Sequence, residues 1–303
     1  MPRRPSIFNF AVLPPWILAL VPVILWGSSF VVTKSIYADW PPLTVAAARW
    51  TIATAFFAVW VVAGKQTALV VRAFRHHPVT VFVFGIVGVS FLYAAQNLAL
   101  NYTTVTNASV LGNLVPVFVL ILSIFFLGES VRRSLVVAIL GATVGAVMVS
   151  VAGGAVTVAP DHLLGDGLSI LAAVAGAFYV VLGKRIVDAY PPAVVTLLAA
   201  GVGAFFLIPL ALIVDGVPPA PSLGAMGGLL ILGLGSSALA NLIWWMVAER
   251  MTASRAALFI LLVPLVGALT GVVLMGDPLS WQLILGGSMI LAALYLAQMI
   301  QEG

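Results

Sequence analysis

An internal repeat restricts the possible folds of this chain more than any other feature of its sequence. Lys34 recurs as Lys184 at an offset of 150 residues, and Pro116 recurs as Pro264 at an offset of 148, each within a matching stretch. The offset is close to half of the 303 residues. A repeat of this size predicts two structurally equivalent halves.

Long apolar stretches place both halves in a membrane. Hydrophobic residues make up 63% of the chain and charged residues 7%, whereas soluble domains carry about 25% charged residues. A membrane-spanning helix needs about 20 apolar residues. Because the stretches are continuously apolar and do not alternate, helices are favoured over a β-barrel. The sequence predicts ten spans, at about 14–37, 42–63, 78–99, 104–127, 132–152, 166–187, 192–214, 223–248, 252–275 and 279–300.

The division of these spans predicts how the two halves are oriented. Five spans lie within residues 1–153 and five within residues 154–303. An odd number of crossings makes the second half enter the bilayer from the opposite face. We therefore expect an all-α integral membrane protein with ten transmembrane helices, in which two inverted five-helix repeats surround a central cavity. This is an architecture of secondary transporters.

The basic residues that fall in loops all lie on one side of the membrane. That side carries eleven of the 13 Lys and Arg residues, and the loops of the other side carry none. Positive loops stay in the cytoplasm, so the sequence predicts a multi-pass protein of the cell inner membrane with both termini cytoplasmic. This topology accounts for the net charge of +4 without a nucleic-acid partner. The eleven residues are Arg3, Arg4, Lys65, Arg72, Arg75, Arg132, Arg133, Lys184, Arg185, Arg250 and Arg255.

A set of polar and aromatic side chains lies well inside the predicted spans. Two interpretations remain open for it: hydrogen bonding between helices, or the lining of a polar cavity. The repeat favours the cavity, because Tyr93 aligns with Asn241 and Asn97 with Trp245, which gives spans three and eight equivalent faces. The candidate substrate-binding residues are Trp26, Arg49, Tyr93, Asn97, Asn113, Tyr179, Asn241, Trp244 and Trp245.

Arg49 is the charged member of this set. It follows the start of span two by seven residues, which places its backbone roughly 10 Å below the end of the helix. A charge inside the membrane is costly and usually functional. One interpretation is contact with a substrate carboxylate. The other is snorkelling to the nearby interface, aided by Asp39.

Two prolines are candidate hinges. Pro116 and Pro264 occupy matching positions inside spans four and nine. Proline removes a backbone hydrogen bond and kinks a helix. Alternate opening at these points is one interpretation, and a fixed packing kink is the other.

The sequence shows no pattern typical of an enzyme, a metal site or a cofactor site. It has no cysteine, and its three histidines, His76, His77 and His162, fall in predicted loops. No Asp or Glu lies at mid-depth in a predicted span, so facilitated diffusion or exchange is the simplest expectation for energy coupling. Asp166, at the end of span six, remains the candidate for coupling through a carboxylate.

Four short motifs of the first half occur in a recognisable order. They are Trp26-Gly27-Ser28-Ser29-Phe30-Val31-Val32-Thr33-Lys34, Pro41-Pro42, Arg49 and Gly128-Glu129. Together they resemble the EamA domain of the drug/metabolite transporter superfamily. The resemblance implies a ten-helix carrier with a substrate cavity between two tandem domains, and within the superfamily the chain resembles the YddG-type exporters of aromatic amino acids. The second copy departs from the pattern, since Ala199 replaces the arginine.

The combined prediction is a carrier that exports amino acids, including aromatic or hydrophobic ones, or related small metabolites by alternating access. Arg49 would receive a carboxylate, and aromatic faces such as Trp26 would receive an ammonium group. A multidrug or organic-cation exporter of the same superfamily is the alternative, and an intramembrane enzyme is a remote one. The expected partners are a small-molecule substrate and the lipid bilayer. The oligomeric state stays open, and a monomer is compatible with the sequence.

Overall fold

The structure, a computed structural model, describes residues 13–299. All regular secondary structure in this range is helical. Nine of the described helical segments are long and apolar enough to cross a membrane, and a shorter apolar helix covers Trp281–Ala297. These segments confirm the predicted all-α fold with its ten hydrophobic helices. Arg3 and Arg4, which contribute to the predicted topology, lie outside the described residues.

Six spans are single helices and four are interrupted. Span three joins Pro78–Gly85, a π-helical segment Ile86–Phe91 and Leu92–Ala99, and span eight joins Leu223–Leu230, a π-helical segment Ile231–Leu239 and Ala240–Ala248. Span four joins Val105–Gly112 and Val115–Leu127, and span nine joins Ala253–Ile260, Leu262–Thr270 and the π-helical Gly271–Met275. Spans one, two, five, six, seven and ten are Pro15–Ile36, Pro42–Ala63, Arg133–Val151, Leu163–Val187, Pro192–Val214 and Trp281–Met299.

The interruptions occur at equivalent places in the two halves. The π-helical segments of spans three and eight end at Phe91 and Leu239, which are related by the 148-residue offset. Spans four and nine both break shortly before a proline, Pro116 in one and Pro264 in the other, where the missing N–H cannot continue the helical ladder.

Spans four and nine also end in the same way. Gly128 and Gly276 terminate them with positive φ angles of 66° and 73°. This left-handed conformation strongly favours glycine and is a common helix C-cap. The acidic residue that follows, Glu129 or Asp277, is thereby placed just beyond the end of its span.

The two ends of the bundle differ in charge. The basic end carries Lys65, Arg132 and Arg185, and the acidic end carries Asp39, Asp161 and Asp215. The acidic end is held together across the halves, because Asp215 accepts hydrogen bonds of 2.7 and 2.8 Å from the backbone N–H and hydroxyl of Thr44. Asp39 accepts a 2.9 Å bond from the N–H of Ser222, and hydrogen bonds from Ser222 lower the pKa of Asp39. Each carboxylate thus binds a backbone N–H at the start of a helix from the other half, Thr44 in the first turn of Pro42–Ala63 and Ser222 at the N-cap of Leu223–Leu230.

The two halves interleave, and most of the large packing contacts between spans are symmetric under the repeat. Span two packs on span seven, and span five packs on span ten. Span one packs on spans eight and nine, just as span six packs on spans three and four. A short amphipathic helix, Thr67–His76, lies between spans two and three at the basic end and buries Ala73. The core therefore includes the interface between the two halves, where most of the candidate side chains meet.

Candidate functional site

Arg49 lies in the interior of the bundle and is 8% exposed. Its Nε donates a 2.7 Å hydrogen bond to the hydroxyl of Ser237, and its Nη2 donates a 2.8 Å bond to the hydroxyl of Ser236. The guanidinium carbon lies 5.6 Å from the centre of the Tyr93 ring. The arginine of span two therefore contacts span eight through hydrogen bonds and span three through an aromatic face.

The guanidinium points towards the middle of the membrane-spanning region. Ser236 and Ser237 lie near the midpoint of the 26-residue span Leu223–Ala248, whereas the backbone of Arg49 is nearer the acidic end of span two. Asp39 caps Ser222 and does not contact Arg49. The side chain thus extends away from the acidic end, opposite to the direction that snorkelling requires.

The partners of Arg49 are neutral. Within residues 13–299 no carboxylate lies within ion-pair distance of this guanidinium. A guanidinium has five N–H donors, and two of them are used by the serine hydroxyls. The positive charge is therefore stabilised by hydrogen bonds and by the Tyr93 ring, and it has capacity for an anionic partner.

The π-helical segment of span eight supports the two serines. A π-helix is wider than an α-helix and is frequent at functional sites. The carbonyl of Ser236 accepts a 3.0 Å hydrogen bond from the indole N–H of Trp26 and a 3.3 Å bond from the amide of Asn241. The Asn241 amide also donates a 2.9 Å bond to the carbonyl of Ser237. Trp26 and Asn241 thus fix the backbone that carries the partners of Arg49.

Asn241 also links span eight to span six. The hydroxyl of Tyr179 donates a 2.7 Å hydrogen bond to its Oδ1. Tyr179 stacks on Phe84 at 5.0 Å between ring centres and contacts Trp245 at 5.1 Å. Every polar atom of the Asn241 side chain is therefore engaged by protein, which is the arrangement expected of a link between helices.

Three indole N–H groups are buried without a hydrogen-bond acceptor among the described residues. They belong to Trp50, Trp244 and Trp245, which are 2%, 1% and 0% exposed. Trp50 lies 5.7 Å from the Tyr93 ring, and Trp244 lies 5.5 Å from the Trp26 ring. An unpaired buried N–H is costly, so these three indoles are donors that a bound acceptor would stabilise.

The equivalent faces of spans three and eight have different environments. Trp244 and Trp245 are fully buried, whereas their equivalents Gln96 and Asn97 are exposed and half-buried. Asn97 donates a 2.7 Å hydrogen bond to the carbonyl of Tyr93 in its own helix. The symmetry that the repeat predicts in sequence is therefore broken in packing.

Asn113 forms its hydrogen bond with a residue outside the group around Arg49. Its amide donates a 2.9 Å hydrogen bond to the hydroxyl of Ser150, which joins span four to span five within the first half. Asp166 likewise has protein partners, a 2.5 Å bond from the hydroxyl of Thr103 and a 3.2 Å bond from the amide of Asn107. These contacts hold the acidic end together.

The two ends also differ in how spans four and nine meet. Their parts at the basic end, Val115–Leu127 and Ala253–Ile260, pack against each other. Their parts at the acidic end, Val105–Gly112 and Leu262–Thr270, form no comparable contact in the described structure. The candidate hinges Pro116 and Pro264 lie where the packed parts join the separated ones.

Sequence reasoning overlooked Ser236 and Ser237. Serine is common in apolar helices, and neither residue has a polar equivalent in span three, since Gly88 and Val89 occupy those positions. A useful signal was available, because the pair lies four and five residues before Asn241. That spacing places all three side chains close together on a helix.

Known proteins resemble this chain along most of its length. The EamA-like transporter family matches residues 14–151 and, a second time, residues 163–299. Two uncharacterized transporters of Archaeoglobus fulgidus are 32% and 28% identical over 281 residues, covering 93% and 92% of this chain and 97% and 96% of the relatives. The uncharacterized transporter YyaM of Bacillus subtilis is 25% identical and covers 88% of each chain.

A solved structure shares the fold. Its TM-score is 0.81 at 22% identity, with 94% of this chain and 96% of the other covered. The family match occurs once in each half, as the internal repeat requires, and it spans nearly all the described residues. The chain therefore belongs to the EamA-like transporter family.

Proposed function

We propose that this transporter exports amino acids, including aromatic or hydrophobic ones, or related small metabolites across the cell inner membrane. The observation that carries the proposal is the buried guanidinium of Arg49, which lies near mid-depth with only neutral hydrogen-bond partners among the described residues. The residues around it would form the substrate site, and residues 1–153 and 154–303 would act as its two enclosing domains.

A carboxylate is the group that best fits this site. A guanidinium and a carboxylate form paired, charge-assisted hydrogen bonds. Such a pair is stronger away from bulk water, and it would relieve the uncompensated charge of Arg49. The unpaired indole N–H groups of Trp50 and Trp244 add donors to the same region. A substrate that brings acceptor oxygens would therefore be stabilised where the protein supplies few of them.

The rest of an amino acid fits the aromatic surroundings. Trp26 is half-buried and Tyr93 has a partly exposed ring, so both leave surface for a ligand. An ammonium group over such a face gains about 0.5–2 kcal/mol. A bulky apolar side chain would bury further surface against these rings, which favours aromatic and hydrophobic substrates over small polar ones.

The same features disfavour the rival substrates. An organic cation would be repelled by Arg49, and the described spans place no carboxylate beside that residue to offset the repulsion. A phosphate ester carries about two negative charges at neutral pH, and Arg49 alone would compensate one of them. Catalysis would need a nucleophile with a base, paired acids or metal ligands, and the described residues hold no potential metal-binding cluster.

Alternating access would deliver the substrate through the bundle. The packed basic parts and separated acidic parts of spans four and nine correspond to a state that opens towards the acidic end. Because positively charged loops stay in the cytoplasm, that end would face outward and both termini would be cytoplasmic. Rocking about Pro116 and Pro264 would then open the basic end and load the site from the cytoplasm.

A counterflow screen tests the proposal. Purified protein is reconstituted into liposomes preloaded with one of the twenty amino acids, and uptake of the same labelled amino acid is measured against protein-free liposomes. We expect protein-dependent uptake of phenylalanine, tyrosine, tryptophan or leucine. Uptake of none of the twenty would reject the substrate assignment. Uptake of tetraphenylphosphonium with no amino-acid uptake would favour the organic-cation exporter.

A further inference from the structure

We infer that Glu129 and Asp277 are alternating latches, each of which closes one end of the carrier by capping a helix of the other half. The inference rests on the proposed alternating access and is independent of the proposed substrate. In the structure the Glu129 latch is closed and the Asp277 latch is open.

The closed latch joins spans four and nine at the basic end. The Glu129 carboxylate accepts hydrogen bonds of 2.5 and 3.2 Å from the backbone N–H groups of Ala253 and Ser254, and a 2.7 Å bond from the Ser254 hydroxyl. These N–H groups form the first turn of Ala253–Ile260 and have no partner within that helix. A carboxylate at this position is also favoured by the helix dipole.

Glu129 replaces the cap that the helix would otherwise supply. Thr252 occupies the N-cap position, yet its side chain makes no capping hydrogen bond. A further 2.6 Å hydrogen bond between the Ser123 and Ser254 hydroxyls lies beside the carboxylate. The start of span nine at the basic end is therefore secured by span four and not by its own threonine.

The equivalent groups at the acidic end are separated. Asp277 corresponds to Glu129 under the 148-residue offset, and its counterpart helix is Val105–Gly112. Asp277 is exposed, and its carboxylate accepts no hydrogen bond from the described residues, while its backbone N–H donates a 3.3 Å bond to the carbonyl of Gly271. Thr104 instead caps its own helix, accepting a 3.1 Å bond from the N–H of Asn107. The donors that Asp277 would use in a closed state are the N–H of Val105 and the N–H and hydroxyl of Thr106, the counterpart of Ser254.

The geometry of spans four and nine makes the two latches exclusive. Their basic parts pack on each other while their acidic parts do not, and both spans break next to Pro116 and Pro264. Bringing the acidic parts together about these breaks separates the basic parts. Glu129 would then lose its donors as Asp277 gains equivalent ones, so that hydrogen bonding is exchanged and not lost.

A matched pair of alanines reports which end is closed. Ala108 and Ala256 are related by the same offset, and each lies in the helix that its latch would cap. Ala256 is buried and Ala108 is half-buried in the structure. The chain contains no cysteine, so Ala108→Cys and Ala256→Cys each introduce a single thiol. The labelling rate of each thiol by a membrane-impermeant methanethiosulfonate is measured on the full-length protein in lipid nanodiscs without substrate.

The ratio of the labelling rate at position 256 to that at position 108 compares the two ends. Glu129→Gln and Asp277→Asn should shift this ratio in opposite directions. Loss of a charge-assisted cap changes an equilibrium by about three- to tenfold, so Glu129→Gln should raise labelling at position 256 by about that factor and lower it at position 108. Asp277→Asn should slow labelling at position 256 further. The double variant should return the ratio towards that of the parent. Ser254→Ala, which removes one hydrogen bond, should give a smaller shift in the direction of Glu129→Gln and serves if that variant does not fold.

An unchanged ratio in Glu129→Gln, or a parallel increase at both positions, would overturn the latch. The first result would make the carboxylate irrelevant to gating, and the second would make it a general stabiliser of the fold. A protein that labels as expected yet carries no amino acid would reject the proposed substrate and leave the latch intact.

Discussion

Arg49 and Ser237 are joined by a 2.7 Å hydrogen bond that crosses from the first half of the protein to the second near mid-depth. The two residues lie on helices of different kinds, since Arg49 belongs to a continuous α-helix and Ser237 to a π-helical segment. A carboxylate bound to this guanidinium would therefore be sensed by both halves. Under the proposed function, substrate recognition would lie at the interface that moves during transport.

Removing the charge of Arg49 should weaken substrate binding. Hydrogen bonds to charged groups contribute about 1.5–3 kcal/mol, so Arg49→Gln should raise the KM for transport by about ten- to a hundredfold. Initial uptake rates in proteoliposomes at increasing substrate concentration measure this change. Lys34→Ala is the control, because Lys34 is exposed near the end of span one. Near-normal kinetics in both variants would exclude Arg49 from the site.

The two serines should act by positioning Arg49. Replacing both Ser236 and Ser237 by alanine removes the hydroxyls that orient the guanidinium, and we expect an increase of about tenfold in KM with a smaller change in kcat. Ser237→Thr retains a hydroxyl and should restore part of the affinity. Ser288→Ala is the control, since that exposed hydroxyl bonds only its own helix at Ile284. A double variant with unchanged KM would contradict the positioning role.

Asn241 should matter more for stability than Asn97. Asn241→Leu leaves the buried Tyr179 hydroxyl without its acceptor, which costs about 1–3 kcal/mol, and removes the amide bonds to the carbonyls of Ser236 and Ser237. The Ser236 carbonyl keeps its hydrogen bond from Trp26. Asn97 is half-buried and bonds only a carbonyl of its own helix, so Asn97→Leu should leave stability nearly unchanged. Thermal unfolding monitored by size-exclusion chromatography in detergent compares the two. Equal losses of stability would refute the distinction.

Close packing of Gly183 against Trp245 gives a further prediction. A Cβ at Gly183 would overlap the Trp245 ring, whereas a Cβ at Gly167 in the same helix would meet nothing within 4 Å. Overpacking typically costs about 1–3 kcal/mol, so Gly183→Ala should lower the unfolding temperature. Gly167→Ala is the matched control and should be neutral or slightly stabilising, because alanine favours helix. Similar unfolding temperatures for the two variants would contradict the prediction and show that the Trp245 ring moves to accommodate the added methyl group.

The positions of the spans and the correspondence between helices of the two halves were predictable, because they depend on length, hydrophobicity and repetition. Arg49 illustrates the limit of that reasoning. Its position in span two gave the depth of its backbone, but a long side chain reaches several ångströms in either direction. Only the location of Ser236 and Ser237 in span eight decides where the charge lies.

The asymmetry between the halves was not predictable from the repeat. Gln96 and Trp244 are equivalent in sequence, yet one is exposed and the other is fully buried. The same holds for Asp277 and Glu129, whose environments differ because the basic parts of spans four and nine pack together and the acidic parts do not. Equivalence in sequence predicts equivalent chemical groups, whereas packing decides which copy finds hydrogen-bond partners.

The central claim is that Arg49 binds the carboxylate of a transported amino acid. Counterflow of phenylalanine, in competition with unlabelled phenylalanine or with phenethylamine, which lacks the carboxylate, tests it most directly. We predict that phenylalanine competes and phenethylamine does not, and that Arg49→Gln abolishes this discrimination. Equal competition by both compounds in the protein with Arg49 intact would contradict the claim.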